Sequence, residues 1–287
     1  MKIITTVTEM RAEVARARSG GLSVGLVPTM GALHEGHASL IRAARAENGL
    51  AVVSVFVNPT QFGPAEDLAA YPRDLEKDAA LARELGTDVI FAPTPEEMYP
   101  QGVGTWVEVS GPLSRILCGR SRPTHFRGVT TVVAKLFNVV LPDRAYFGQK
   151  DGQQVQVVQR MVDDLLMPVE IRVMPIIREA DGLALSSRNA YLTPDQRRAA
   201  LVLSRALAEA GERLAGGGRN RALLAAHLTN LIAAEPEAEI DYVEILRFPD
   251  LTEPGDELSG KIFIALAVRF GRARLIDNRV YDVPESS

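Results

Sequence analysis

Strand-like apolar runs alternate with helix-like patterns along the first 176 residues of this 287-residue chain. The clearest run, residues 50–57, is almost continuously apolar and rich in β-branched side chains, which is typical of a strand covered on both faces. The predicted strands are residues 22–27, 50–57, 88–92, 144–147 and 169–175, and the predicted helices are residues 8–18, 37–47, 72–85, 128–140 and 151–166. These repeated units predict an α/β fold with a Rossmann-like parallel sheet. In such sheets, ligands bind beyond the carboxyl ends of the strands.

The pattern changes near Thr193. Two helices rich in Ala, Leu and Arg are predicted over residues 194–214 and 219–234, followed by strands over 240–246, 261–268 and 273–278. The short turns between these strands indicate antiparallel pairing. We therefore predict two domains: a nucleotide-binding domain of residues 1–176, and a smaller α+β domain of residues 177–287 that closes over the site.

Composition excludes several classes of protein. The net charge of −4 and pI near 5.7 argue against a broad nucleic-acid interface, because such surfaces are usually basic. The single cysteine, Cys118, cannot form an intramolecular disulfide, which fits a reducing compartment. The amino terminus lacks a signal-peptide pattern, and no apolar run reaches about 18 residues. We expect a cytoplasmic protein with no nucleic-acid or membrane partner.

Two histidines and two glycines lie where the predicted strand 22–27 meets the next helix, in the segment PTMGALHEGH. A helix amino terminus offers unpaired N–H groups and partial positive charge, which suit phosphate. His34 and His37 are three residues apart, so they would share one face of the first helical turn. There they could donate hydrogen bonds to phosphate oxygens. The alternative for a single histidine is a helix cap or a surface residue. The segment resembles the HIGH-type signature of nucleotidyltransferases.

Polar residues follow two further predicted strands. Asn58 and Gln61 come directly after residues 50–57, and their amides would suit a substrate carrying a carboxylate and hydroxyls. A simple turn at Asn58 and a surface Gln61 are the alternative. Lys150 lies in a strand-to-helix turn, where its point charge would suit phosphate, although an isolated lysine is more often solvated. Gln154, one turn later, would face the same cleft.

A third polar cluster lies near the domain boundary. Ser186, Ser187 and Arg188 follow Gly182 in a loop, where an arginine fork and two hydroxyls could bind phosphate oxygens. The loop resembles the KMSKS-type loop of the same superfamily. The alternative is that the two serines cap a helix.

Six segments, in order, resemble the pantoate–β-alanine ligase (pantothenate synthetase) family over about residues 5–195: PTMGALHEGH, FVNPTQF, DLAAYPR, RPTHFRGV, FGQKDGQQ and READGLALSSRN. The resemblance implies ATP-dependent condensation of pantoate with β-alanine through a pantoyl adenylate, with release of AMP and pyrophosphate. The chain departs from the family pattern at three positions. Gln149 replaces a usual Glu, Gly152 a usual aromatic residue and Leu185 a frequent Met.

The resemblance also implies roles for individual residues. His34, His37, Lys150 and Arg188 would be catalytic. ATP would be bound by Met30, Gly31, Ala32, Leu33, His34, Glu35, Gly36, His37, Gly148, Gln149, Lys150, Asp151, Ile177, Leu185, Ser186, Ser187 and Arg188. Pantoate would be bound by Asn58, Gln61 and Gln154, with Gln61 also meeting β-alanine. Mg²⁺ would bridge phosphates with no protein ligand assigned, and the protein would be a homodimer.

Less specific segments carry two interpretations each. Arg122 and His125 would approach the phosphates or β-alanine, or else form a structural turn. Residues 63–72, with Tyr71 and Arg73 at their end, would form a lid over the intermediate or a passive connector.

Two other functions remain open on the sequence. One is a cytidylyl or adenylyl transferase that keeps the nucleotide in its product. The other is a nucleotide-sensing module without turnover.

Overall fold

The computed structural model of the protein describes residues 1–63, 68–69 and 71–285. The chain divides into two compact units. The first comprises Met1–Gln149 and Gln154–Pro175, and the second comprises Lys150–Gln153 and the chain from Ile176 onward. No helix among the described residues is both long enough and apolar enough to cross a membrane.

Parallel strands build the first unit. Its described strands are β1 (Lys2–Ile4), β2 (Val24–Thr29), β3 (Leu50–Val55), β4 (Val89–Phe91), β5 (Arg144–Gly148) and β6 (Glu170–Met174). Within the described chain they form one sheet in the order β1-β4-β3-β2-β5-β6, and every pairing is parallel. The strand order changes direction between β2 and β5. In open parallel sheets, such a switch point is where ligands bind. The segments that follow β2 and β5 start at this point.

Helices cover both faces of this sheet. They are α1 (Val7–Ser19), α2 (Glu35–Glu47), α3 (Leu75–Glu84), α4 (Pro95–Met98), α5 (Cys118–Ser121), α6 (His125–Val140) and α7 (Gly152–Asp164). Neighbouring residues of β2 show the two-sided burial: Leu26 packs in the cluster that contains residues of α1, α6 and α7, whereas Val27 packs in the cluster that contains residues of α2 and α3. Because successive side chains of a strand point to opposite faces, this explains the continuous apolar runs. The predicted α/β fold is confirmed.

The second unit combines helices with an antiparallel sheet. Its helices are α8 (Pro194–Ala200), α9 (Val202–Ala215) and α10 (Arg221–Ala233), and its described strands are β7 (Ala238–Arg247), β8 (Gly260–Phe270) and β9 (Ala273–Val283). These strands pair antiparallel in the order β7-β8-β9. Apolar residues of the sheet and helices form one buried cluster, as expected for a small α+β fold.

Several predicted bounds are wrong. The pattern missed β1 and started α2 at His37 instead of Glu35. The single helix predicted over 194–214 is two helices, because Leu201 N bonds to Arg198 O in a tighter local turn. Strand β9 extends five residues beyond the predicted end at Asn278.

Candidate active site

His34 and His37 cap helix α2 with their own side chains. The His34 Nδ1 atom accepts a hydrogen bond from Gly36 N at 3.1 Å, and the His37 Nδ1 atom accepts one from His34 N at 3.3 Å. The two ring centroids lie 4.1 Å apart. A ring nitrogen that accepts a hydrogen bond carries no proton, so each neutral imidazole holds its proton on Nε2. The capping alternative therefore describes these contacts, and phosphate binding through the Nε2–H groups stays a prediction.

The turn before these histidines requires an unusual backbone. Gly31 has φ +81° and Ala32 has φ +51°, and glycine adopts such values at little cost. A Cβ atom on Gly31 would lie 2.7 Å from Asp78 Oδ2 and 3.1 Å from Val55 Cγ1. Thr29 Oγ1 accepts a hydrogen bond from Gly31 N at 3.1 Å. The turn is thus closely packed from the end of β2 onward.

Asp78 holds the same turn from helix α3. Its carboxylate oxygens accept hydrogen bonds from Ala32 N at 3.0 Å and Leu33 N at 2.7 Å, and the residue is only 2 % exposed. The sequence reasoning missed it. One signal was available, because Asp78 shares the buried stripe of α3 with Ala79 and Ala82, and a carboxylate in such a stripe needs donors.

Asn58 and Gln61 are buried in the turn after β3, with exposed fractions of 1 % and 8 %. Asn58 Oδ1 accepts hydrogen bonds from Thr60 Oγ1 at 3.0 Å and Tyr99 Oη at 2.9 Å, and Asn58 Nδ2 donates to Gln61 Oε1 at 3.2 Å and Gly128 O at 3.1 Å. An amide nitrogen has two hydrogens, so both are used within the protein. Asn58 thus forms a turn, as its alternative interpretation predicted. The alternative that Gln61 lies on the surface is wrong.

The Gln61 side chain reaches the glycine-rich turn. Its Nε2 atom lies 2.8 Å from Met30 Sδ, so the segments after β2 and β3 meet at the carboxyl ends of neighbouring strands.

The main chain at Gln61 is held by the RPTHFRGV segment. His125 Nδ1 lies 3.0 Å from Gln61 O, and Arg122 Nη1 lies 3.1 Å from His125 Nε2. A carbonyl only accepts and a guanidinium only donates, so this geometry places the His125 proton on Nδ1. A Cβ atom on Gly128 would lie 2.4 Å from Thr60 O. The structural-turn interpretation of Arg122 and His125 therefore describes these contacts.

The second unit carries the remaining candidates. Lys150 lies in the 3₁₀ helix Gln149–Asp151 and is partly exposed. Ser186 caps the 3₁₀ helix Ser187–Tyr191 by accepting a hydrogen bond from Arg188 N at 3.3 Å. The capping alternative thus holds for Ser186, whose hydroxyl hydrogen is not used by that bond. Arg188 is exposed.

Other predicted residues have well-defined local settings. Leu185 N donates to Ile177 O at 2.9 Å, so these two residues pair across a short hairpin. Gln154 is half-buried near the amino end of α7, and Gly152 is buried.

Of the predicted lid, Pro64, Ala65, Glu66, Asp67 and Ala70 lie outside the described residues. The described residues contain no group of three or more His, Cys, Asp or Glu side chains that could hold a metal ion.

A parallel sheet with a switch point and a histidine-capped helix amino terminus are typical of α/β nucleotide-binding proteins. The family model for pantoate-beta-alanine ligase matches residues 2–280. The chain belongs to the pantoate–β-alanine ligase family, and it is a ligase of pantothenate biosynthesis.

Similar proteins cover the whole fold. The pantothenate synthetase of Moorella thermoacetica is 57% identical over 283 residues, covering 99% of each chain. The crystal structure of pantothenate synthetase from Thermus thermophilus has a TM-score of 0.91 and 50% identity, covering 99% of this chain and 100% of that one. The pantoate–β-alanine ligase of Francisella tularensis, complexed with beta-gamma ATP and β-alanine, has a TM-score of 0.80 and 34% identity, covering 98% of this chain and 97% of that one.

Proposed function

We propose that this protein joins pantoate to β-alanine in two steps, through a pantoyl adenylate, and releases pyrophosphate and then AMP. The observation that carries the proposal is the His34–His37 cap at the start of α2, where both Nδ1 atoms accept hydrogen bonds from backbone N–H groups. In the neutral imidazoles this leaves the proton on Nε2. The Francisella relative, which was solved with an ATP ligand and β-alanine, supports the choice of substrates.

The first step transfers the adenylyl group. A carboxylate of pKa about 4 is ionised at neutral pH, so pantoate needs no general base to attack the α-phosphorus. A bond forms between the pantoate oxygen and phosphorus, and the bond to pyrophosphate breaks. Negative charge grows on the phosphate oxygens. One fixed donor there lowers the activation free energy by about 3 to 4 kcal/mol. We assign this role to the Nε2–H groups of His34 and His37.

The second unit supplies further phosphate ligands in this proposal. Lys150 offers a point charge, Arg188 offers a planar fork, and the hydroxyls of Ser186 and Ser187 offer single donors. For Ser186 the cap leaves this role available, because its oxygen accepts the bond from Arg188 N and its hydrogen can still be donated.

We assign Gln61 and Gln154 to pantoate, and Gln61 also to β-alanine. Asn58 acts through Gln61, because its amide hydrogens are bonded to Gln61 Oε1 and Gly128 O. This is a change from the expectation that Asn58 binds pantoate directly. Loss of either residue should therefore impair the use of the same substrate.

Magnesium enters with ATP in this account. Mg²⁺ prefers oxygen ligands and usually keeps several waters while bridging phosphates. We expect the phosphate oxygens of ATP to hold it, because Mg²⁺ is a hard cation that takes oxygen ligands. When bound there, the ion would neutralise phosphate charge.

The second step joins the amine. The neutral amine of β-alanine attacks the acyl carbon of the mixed anhydride, and the amide bond forms as the acyl carbon–oxygen bond breaks. AMP leaves with the electrons of that bond, and the amine gives up one proton to solvent. We further propose a cytoplasmic homodimer, which sedimentation and cell fractionation would test.

Product analysis tests the function. The purified protein is incubated with ATP, Mg²⁺ and pantoate, with and without β-alanine, and nucleotides and pantothenate are separated. We expect equal amounts of AMP and pantothenate only when β-alanine is present. A product that retains the nucleotide would favour the nucleotidyltransferase alternative, and no product at all would favour the sensing module.

A further inference from the structure

Strand β9 carries two adjacent buried polar residues that the proposed reaction does not use. Asp277 is 2 % exposed and Asn278 is 5 % exposed, and both belong to the second unit. Asp277 Oδ1 accepts a hydrogen bond from Asn278 N at 2.8 Å. Buried polar groups are costly unless they are bonded, so the partners of these two side chains indicate what the pair is for.

Asp277 is bonded to the base of the Ser186–Arg188 loop. Its carboxylate forms a two-point pair with Arg178, at 2.7 Å from Nη1 and 2.9 Å from Nη2. Arg178 Nη1 also donates to Gly182 O at 3.0 Å. Gly182 has φ +95° and forms the turn that leads into Ser186. The carboxylate on β9 thereby fixes, through one guanidinium, the turn from which the loop starts.

The connection continues through the short hairpin of residues 177–185, in which Leu185 N donates to Ile177 O. Glu179 N donates to Leu183 O at 2.8 Å, and Gly182 N donates to Glu179 O at 2.9 Å. At its far end, Asn189 Nδ2 donates to Glu179 Oε1 at 2.7 Å. The residues on either side of Ser186–Arg188 are thus bonded to the same short hairpin that Asp277 holds.

Asn278 is bonded to the other phosphate-binding candidate. Its Nδ2 atom donates to Lys150 O at 2.9 Å. Successive residues of a strand point to opposite faces, so one dipeptide can reach two separate segments. Both segments, Lys150–Gln153 and the loop, belong to the second unit.

We propose that Asp277 and Asn278 are a positioning pair that sets the Lys150 segment and the Ser186–Arg188 loop at a fixed separation from one another. The inference rests on the proposed function, since it assigns both segments to the phosphates of ATP. In this role neither residue needs to touch substrate. Their effect is geometric, because charge stabilisation of a transition state depends on donors held at the right distance before reaction.

The size of the effect follows from positioning. A misplacement of about 1 Å can cost about a hundredfold in rate, so Asn278→Ala should slow adenylate formation by about tenfold to a hundredfold. The KM for ATP should rise, and the KM for pantoate should stay near the wild-type value. Asn278→Asp keeps the size of the side chain but places an acceptor against Lys150 O, so it should be slow as well.

The test compares these variants with a matched control on the same strand. Arg274 of β9 pairs with Asp241 of β7 at 2.8 Å. This ion pair involves neither the Lys150 segment nor the Ser186–Arg188 loop. Asp241→Asn therefore removes a charge pair from β9, at a carboxylate that is more exposed than that of Asp277. Pyrophosphate release is measured in single turnovers for all four variants at a temperature where each is folded by circular dichroism. Asp277→Asn should be slow and Asp241→Asn should be close to wild type.

A double-mutant cycle with Lys150→Ala separates positioning from general support of the fold. If Asn278 acts through Lys150, Asn278→Ala slows the wild-type protein but adds little to Lys150→Ala. Equal slowing in both backgrounds, equal slowing by Asp241→Asn, or wild-type rates in Asn278→Ala and Asn278→Asp would each overturn the inference. A wild-type protein that makes no AMP from ATP, pantoate and β-alanine would instead contradict the proposed function.

Discussion

The substitution Asp78→Asn tests how the glycine-rich turn is held. Asp78 accepts hydrogen bonds from both Ala32 N and Leu33 N in a buried setting. Asparagine has nearly the same shape, but one of its two terminal atoms is a donor. In any orientation, one of the two backbone N–H groups then faces an NH₂ group and loses its acceptor.

The magnitude follows from that single unsatisfied donor. Leaving one buried donor unpaired costs about 1 to 3 kcal/mol. For a domain of this size, a loss of about 2 kcal/mol lowers the melting temperature by about 4 to 8 °C. The turn leads directly into His34, so its displacement should also reduce the rate of adenylate formation, by up to about a hundredfold for a shift near 1 Å.

Thermal unfolding and single-turnover pyrophosphate release measure the two effects. Glu76→Gln is the control, because it removes an exposed carboxylate from the same helix. We expect this control to retain the wild-type rate. If Asp78→Asn formed adenylate at the wild-type rate, the turn would not depend on its anchor and the reasoning would be refuted, whatever the change in stability.

Three further substitutions address the rest of the site. His37→Ala should lower the rate of adenylate formation by about 10² to 10³ while the protein stays folded; single-turnover rates near wild type would exclude the histidine from the reaction. Gln61→Ala should raise the KM for pantoate by about tenfold to a hundredfold, as for one lost buried polar contact, and leave the KM for ATP little changed; equal changes for both substrates would show that Gln61 is misassigned. Gly128→Ala forces a Cβ atom to within 2.4 Å of Thr60 O. It should therefore raise the KM for pantoate in steady-state assays, as Gln61→Ala does. A normal KM for pantoate would contradict the role given to this close contact.

The sequence predicted the elements whose signals are local. Strand β3 and helix α6 were predicted because their apolar patterns are long and continuous. Strand β1 was missed because three residues are too few to show a pattern. The start of α2 was predicted two residues late because histidine is not among the usual capping residues, although the His34 side chain serves as the cap.

The partners of the residues that anchor the site were not predictable, because these partners are distant along the chain. Asp78 lies 46 residues from Ala32, and Asn278 lies 128 residues from Lys150. Residue type does not distinguish their roles either. An amide such as Asn58 suits a substrate as well as a turn, and only the positions of Gln61 and Gly128 show that both its hydrogens are used internally.

The central claim is that the carboxylate is activated as an adenylate before the amine arrives. Rapid quench of the protein mixed with ATP, Mg²⁺ and pantoate, without β-alanine, measures this directly. We predict a burst of about one pyrophosphate per site without matching release of AMP, because the intermediate stays bound and shielded from water. No pyrophosphate until β-alanine is added would contradict the account and favour a concerted route.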